Sequence, residues 1–162
     1  QFRVCLTLAA KQHGAKITRF TQGYDLKEML RDVHGENPSL VPDAFFTLEE
    51  KDDVINFFLE ADRGTMKTER FVDKLKIYWS WRDDERLKKK LRLTRFRVLT
   101  IAPSERRSDS LRNAGKGGDP RGDGSLMFLF APETQYSLSE PEKILRPIWK
   151  SPKDETPHTI LE

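Results

Sequence analysis

The chain has one cysteine, three scattered histidines and no long apolar run. A single thiol cannot close an internal disulfide, so Cys5, set among apolar residues, reads as a packed thiol of a reducing compartment. No stretch approaches the ~20 apolar residues that span a bilayer, and no charged start leads into an apolar segment as in a secretory leader. Both absences point to a cytoplasmic protein with no membrane partner. His13, His34 and His158 lack metal-ligand spacing, and no Ser/His/Asp arrangement can be picked out. Gly115-Lys116-Gly117-Gly118 lacks the spacing and the following Ser/Thr of a phosphate loop, and Arg121-Gly122-Asp123 carries no extracellular context. Both read as loop.

What is present is a heavily charged globular chain: 162 residues, 36% hydrophobic and 34% charged, with a net charge of +3. That length supports one domain with a substantial core. The small net charge hides a local excess, because residues 82–97 carry eight Lys/Arg against three Asp/Glu. Arg82, Arg86, Lys88, Lys89, Lys90 and Arg92 are therefore candidate contacts to a nucleic-acid backbone. A solvated helix end accounts for the same run. Beside it stand Tyr78, Trp79 and Trp81; Trp81 is the one considered for a stacking surface, although aromatics at helical spacing favour the core.

Periodicity divides the chain. Phe2, Cys5, Leu6 and Ala9 predict a helix over 2–13 closed by Gly14. A strand follows at 16–21, then a helix from Asp25 whose Leu26, Met29, Leu30 and Val33 form a stripe; it reads as an insertion or lid. Residues 41–48 and 54–62 read as a β-hairpin, and Phe71, Val72, Leu75, Tyr78 and Trp79 predict a helix over 68–81. A buried strand at 96–102 after that helix implies a right-handed crossover to a parallel neighbour, so the class is α/β (α+β) with a mixed sheet flanked by helices. A short helix at 103–111, a flexible glycine-rich surface loop at 113–124 and a strand at 126–130 complete a domain over 1–130. Residues 131–162 form a proline-rich tail wrapping the domain, anchored by Ile144, Leu145, Ile148 and Trp149. The helical pattern is already running at Gln1, which reads as a fragment of a longer protein.

One constellation carries chemistry. Asp43, Phe45 and Thr47 share a strand face, and a turn centred between Lys51 and Asp52 sets Asp43 opposite Glu60 with Cβ atoms ~5 Å apart. Two such carboxylates repel unless a proton or a metal bridges them, and Asp62 adds a third two residues on. Mg²⁺ or Mn²⁺ held by Asp43, Glu60 and Asp62 resolves the repulsion and would activate water for attack on a phosphate. A structural ion pair with Arg63 or Lys67 resolves it equally well. The apolar run Phe57-Phe58-Leu59 leading into Glu60 favours the metal, because an unpaired charge there is costly.

The string Val41-Pro42-Asp43-Ala44-Phe45-Phe46, then Phe57-Phe58-Leu59-Glu60-Ala61-Asp62-Arg63-Gly64-Thr65 and a helix with Phe71, Lys74-Leu75 and Tyr78, resembles the replication-relaxation family of plasmid and mobile-element proteins over about the first 100 residues. The resemblance implies a PD-(D/E)XK nuclease-like core, a role in plasmid replication or DNA relaxation alongside other replication or transfer proteins, and a winged-helix DNA-binding region upstream. Pro42-Asp43 matches the PD element and Glu60 the second acid. Asp62 departs from the pattern, since an active nuclease usually carries Lys there. Lys67 or Lys74 would then supply the missing cation from the following helix, or Lys74 would simply reach solvent. The implied activity is a metal-dependent DNA endonuclease or nickase; the alternative is an inactive nuclease-like DNA-binding or protein-interaction module.

Overall fold

A computed structural model describes residues 1–162. The first helix, α1 (Phe2–His13), buries Cys5, Leu6, Ala9 and Ala10 and stops at Gly14, whose φ of 83° suits a residue without a Cβ. After β1 (Lys16–Gln22), α2 (Gly23–His34) buries Leu26, Leu30 and Val33. These residues belong to the main core, so the helix expected as an insertion or lid is inserted between β1 and β2 but packs as a structural layer rather than a lid. The hairpin follows as β2 (Ala44–Glu50) and β3 (Asp53–Ala61). Its pairs run from Glu50 opposite Asp53 to Ala44 opposite Leu59, the register that a turn at Lys51-Asp52 dictates.

α3 (Thr68–Trp81) turns Phe71, Leu75, Tyr78 and Trp81 inward, and a short helix, α4 (Glu85–Leu91), follows under an Asp84 cap that accepts the Leu87 N–H at 3.0 Å. The chain then returns through β4 (Arg97–Ala102), parallel to β3. α5 (Glu105–Ala114) starts after Ser104, which accepts the Arg107 N–H, so it begins and ends a few residues later than Pro103 suggested. β5 (Phe128–Pro132) lies parallel to β4, and β6 (Trp149–Lys150) and β7 (Pro157–His158) close an antiparallel edge. The mixed seven-stranded sheet thus follows chain order from β1 to β7. No helix is long and apolar enough to cross a membrane.

Each face of the sheet carries its own core. Phe46, Phe57, Leu99 and Leu129 pack against α1, with Ile144, Trp149 and Ile160 from the C-terminal segment in the same cluster. Phe45, Phe58, Val98 and Phe128 pack against α2 to α5. The strand period of two therefore sends Glu60, two residues after Phe58, to the α3 side. The glycine-rich stretch is packed rather than free. Residues Gly115–Gly118 form a 3-10 turn in which a Cβ on Gly118 would sit 2.9 Å from Leu75 Cβ. Glycine is needed there because α3 approaches that closely.

Candidate functional site

The carboxyl end of β3 opens into a cavity of about 210 Å³ lined by Asp43, Glu60, Asp62, Arg63, Thr65 and Lys74, among others. Pairing continues one step past β2, with the Asp43 N–H donating to Leu59 O at 3.0 Å and the Ala61 N–H donating to Asp43 Oδ2 at 2.7 Å. Asp43 therefore stands opposite Glu60 as the register requires, exposed to solvent and anchored by one oxygen.

Glu60 is 5% exposed. Lys74 Nζ donates to its Oε2 at 2.9 Å and the Tyr78 hydroxyl to its Oε1 at 2.6 Å. Lys74 and Tyr78 are four residues apart on α3, so one helix face delivers both. Burial pushes the Glu60 carboxyl above its usual range; Lys74 and the Tyr78 hydrogen bond pull it back, and nearby Asp43 pushes it up again. Burial, then the charge of Glu60, holds the Tyr78 phenol well above its ordinary value, so it remains a donor.

Asp62 departs from the expected triad. Its Oδ2 and Oδ1 accept from Arg107 Nε at 2.7 Å and Nη2 at 3.0 Å, and the Gly64 N–H donates to Oδ2 at 3.0 Å. This bidentate pairing keeps Arg107 firmly protonated, and Arg107 also reaches Met66 O at 2.6 Å, fastening the loop between β3 and α3. The three carboxylates accordingly share a cavity without converging, and no group of three or more His, Cys, Asp or Glu side chains is placed to hold a metal ion. Asp62 is unfit as a metal ligand because a guanidinium already fills its oxygens. Asp43 fits a hard cation, since one of its oxygens accepts no hydrogen bond and such a cation completes its shell with water and phosphate; Glu60, whose two oxygens accept one hydrogen bond each, would have to share a remaining lone pair with it. Lys67 is exposed just before α3, lines no part of the cavity and makes no ion pair; Lys74 is the lysine at the site.

The basic run lies at the other end of the sheet, between the last turn of α3 and the first residue of β4. Arg82 lies eight residues beyond Lys74, ~12 Å along the helix axis. The run also splits. Arg86, Lys89, Lys90 and Arg92 line one hollow with Arg19 and Asp32, where Lys90 pairs with Asp32 at 2.8 Å. Arg82 and Lys88 face a second groove; Lys88 contacts Glu85 at 3.2 Å, and the Arg82 guanidinium lies 4.0 Å from the Trp79 ring centre. Trp81 is buried, which removes it as a stacking surface, and half-buried Trp79 borders the groove instead. Arg19 fixes the end of α4 to the hairpin by donating to Leu91 O, to Arg92 O and to Asn56 Oδ1.

Sequence reasoning missed two participants. Tyr78 was legible, because it repeats Lys74 at helical spacing, yet aromatic character assigned it wholly to the core. Arg107 had no local signal, being 45 residues from Asp62.

Fold and cavity together define a mixed α/β domain with an ion-paired acidic pocket at the carboxyl end of β3 and a separate basic surface at the opposite end. Residues 5–109 match the family described as replication-relaxation, and the chain belongs to that family. This membership suggests a role in plasmid or mobile-element DNA processing. No curated protein and no solved structure matches the chain.

Proposed function

We propose that this domain is a DNA-processing module of plasmid or mobile-element replication, built on a PD-(D/E)XK-like core, whose Asp43–Glu60–Lys74 pocket cleaves a phosphodiester bond of bound DNA with a divalent cation. The single observation that carries the reading is the 2.9 Å contact of Lys74 Nζ with Glu60 Oε2, in the cavity that also holds Asp43. It puts a lysine beside the two acids although the strand position for one is occupied by Asp62. The order helix, three antiparallel strands, helix, parallel strand from α1 to β4 supports the core assignment, with α2 between β1 and β2.

Asp43 and Glu60 would hold Mg²⁺ or Mn²⁺, which when bound lowers the pKa of a coordinated water and offsets charge on the phosphate. Asp43 is pre-positioned by the Ala61 N–H. Lys74 offsets negative charge next to Glu60 with an ammonium that is partly open to the cavity. Tyr78 fixes the remaining Glu60 oxygen. Arg107 holds Asp62 and the Met66 carbonyl, setting the wall on which Arg63 and Thr65 stand.

A second reading rests on a specific observation: Glu60 and Asp62 are already satisfied by the chain's own donors. Such a pocket also suits a nuclease-like domain that binds DNA without cutting it. Supercoiled plasmid incubated with the full chain and Mg²⁺ or Mn²⁺ separates the two. Nicking that disappears in Asp43→Asn and in chelator supports the enzyme; plasmid binding without nicking under either metal supports the binding module and overturns the catalytic reading.

A further inference from the structure

The groove at the amino end of β4 has the features of a built site. It encloses about 570 Å³ between the end of α3, the residues leading into β4 and the loop over 119–127. It runs into a second hollow of about 420 Å³ that shares Thr94, Arg95, Phe96, Leu126 and Met127. Four of its cations, Arg82, Arg95, Arg121 and Lys153, are exposed and form no ion pair, although carboxylates line the same groove. Cations left unpaired together represent unused capacity for an anion.

The loop wall is held in place rather than hanging free. Asp119 Oδ1 accepts the N–H groups of Arg121 at 2.9 Å and Gly122 at 3.1 Å. Gly118 and Gly124 press the loop onto Leu75 and the Pro152 backbone so closely that a Cβ at either would come within 3.0 Å. Asp119 is nine-tenths buried, lines the groove and leaves its Oδ2 without a hydrogen-bond partner. Its buried carboxylate therefore serves the loop itself, fixing the turn from which Arg121 projects.

We propose that this groove binds single-stranded DNA, with backbone phosphates on Arg95, Arg121 and Lys153 and a base stacked on the Arg82 guanidinium where it covers Trp79. The assignment rests on the DNA-processing reading above and adds a second contact region, remote from the acidic pocket. A guanidinium lying on an indole extends the planar platform on which bases stack. A duplex presents its phosphates outward and its bases inward, so it meets only the rim of a hollow this size.

Fluorescence anisotropy with a labelled twelve-residue oligothymidylate tests the proposal on the full chain. The double variant Arg95→Glu/Arg121→Glu weakens binding roughly tenfold or more, and its slope of log affinity against log salt falls by about 1.4, or ~0.7 for each phosphate no longer neutralised. Trp79→Phe abolishes the quenching of tryptophan fluorescence by the oligonucleotide, because Trp81 and Trp149 are buried and do not report on the groove. Asp43→Asn, at the other end of the sheet, binds the oligonucleotide like the parent whether or not it still nicks plasmid, which separates this site from the catalytic one. Unchanged affinity in the double variant, unchanged quenching in Trp79→Phe, or a blunt duplex of the same length binding equally tightly through Arg95 and Arg121 overturns the proposal.

Discussion

Replacing Lys74 with Met removes the ammonium from Glu60 while keeping most of the stem that packs along α3. Stripping one partner from a buried ion pair costs up to about 3–5 kcal/mol. Two features reduce that here. The Lys74 side chain is 30% exposed, so solvent screens part of the attraction. Glu60 can also escape by taking up a proton, at about 1.4 kcal/mol for each pH unit above its ordinary value of 4.5. The expected loss is therefore about 2–3 kcal/mol at pH 8, and at most about 1.4 kcal/mol at pH 5.5. The sign follows from burial. An acid raised in the folded state contributes stability that is complete below pH 4.5 and lost as pH rises through its folded value. Lys74→Met raises that value further, so the gap between parent and variant opens above pH 4.5 and widens upward. Urea unfolding at pH 4, 5.5 and 8 measures it, and the double variant Glu60→Gln/Lys74→Met recovers most of the loss at pH 8. A gap of equal size at pH 4 and pH 8 would refute the ionic account and assign the contribution of Lys74 to packing.

Arg107→Gln leaves Asp62, whose side chain is 3% exposed, with only the Gly64 N–H, and lowers stability by about 2–4 kcal/mol. Calorimetry should read this as a Tm lower by about 4–16 °C, with Arg107→Lys recovering only part because it cannot bridge both oxygens; an unchanged Tm in Arg107→Gln excludes the clamp. Trp149→Ala empties a fully buried site and removes the Nε1–H donated to Ile144 O at 2.9 Å, at a cost of about 3–5 kcal/mol. A denaturation midpoint corresponding to less than ~1 kcal/mol of loss would show that the C-terminal segment is not part of the α1-side core.

The hairpin was legible because two local rules fix it: a tight turn at Lys51-Asp52 sets the register, and the strand period sets the face. Those rules position Asp43 against Glu60 without knowledge of the rest of the chain. They say nothing about which cation meets which acid. That choice is tertiary: Lys74 arrives from α3, whereas Arg107 arrives from α5 and takes Asp62 away from the expected triad. α4 was hidden because it buries only Leu87 and Leu91 within a run of charge, and β6 and β7 are too short to show any period. Composition misled at 113–124, where five glycines signal freedom in a random chain, but Gly118 and Gly124 serve close approach to Leu75 and Pro152.

The direction of the chain explains why the two polar ends of the sheet can differ in character. β3 and β4 are parallel, so the crossover through α3 begins at the carboxyl end of one and finishes at the amino end of the other. Acids leaving β3 and cations entering β4 are thus held apart by the length of the helix between them. The ~12 Å from Lys74 to Arg82 exceeds the Debye length of ~8 Å at physiological ionic strength. Cations of the groove consequently do little to lower the Glu60 carboxyl, and its protonation is governed by burial, by Lys74, by Tyr78 and by Asp43. Were residues 82–97 folded beside the pocket, their charge would hold Glu60 ionised and erase the raised value that burial produces. Filling the groove with a polyanion should, by the same screening, leave the titration of the pocket almost unchanged, so each end of the sheet keeps its own electrostatics.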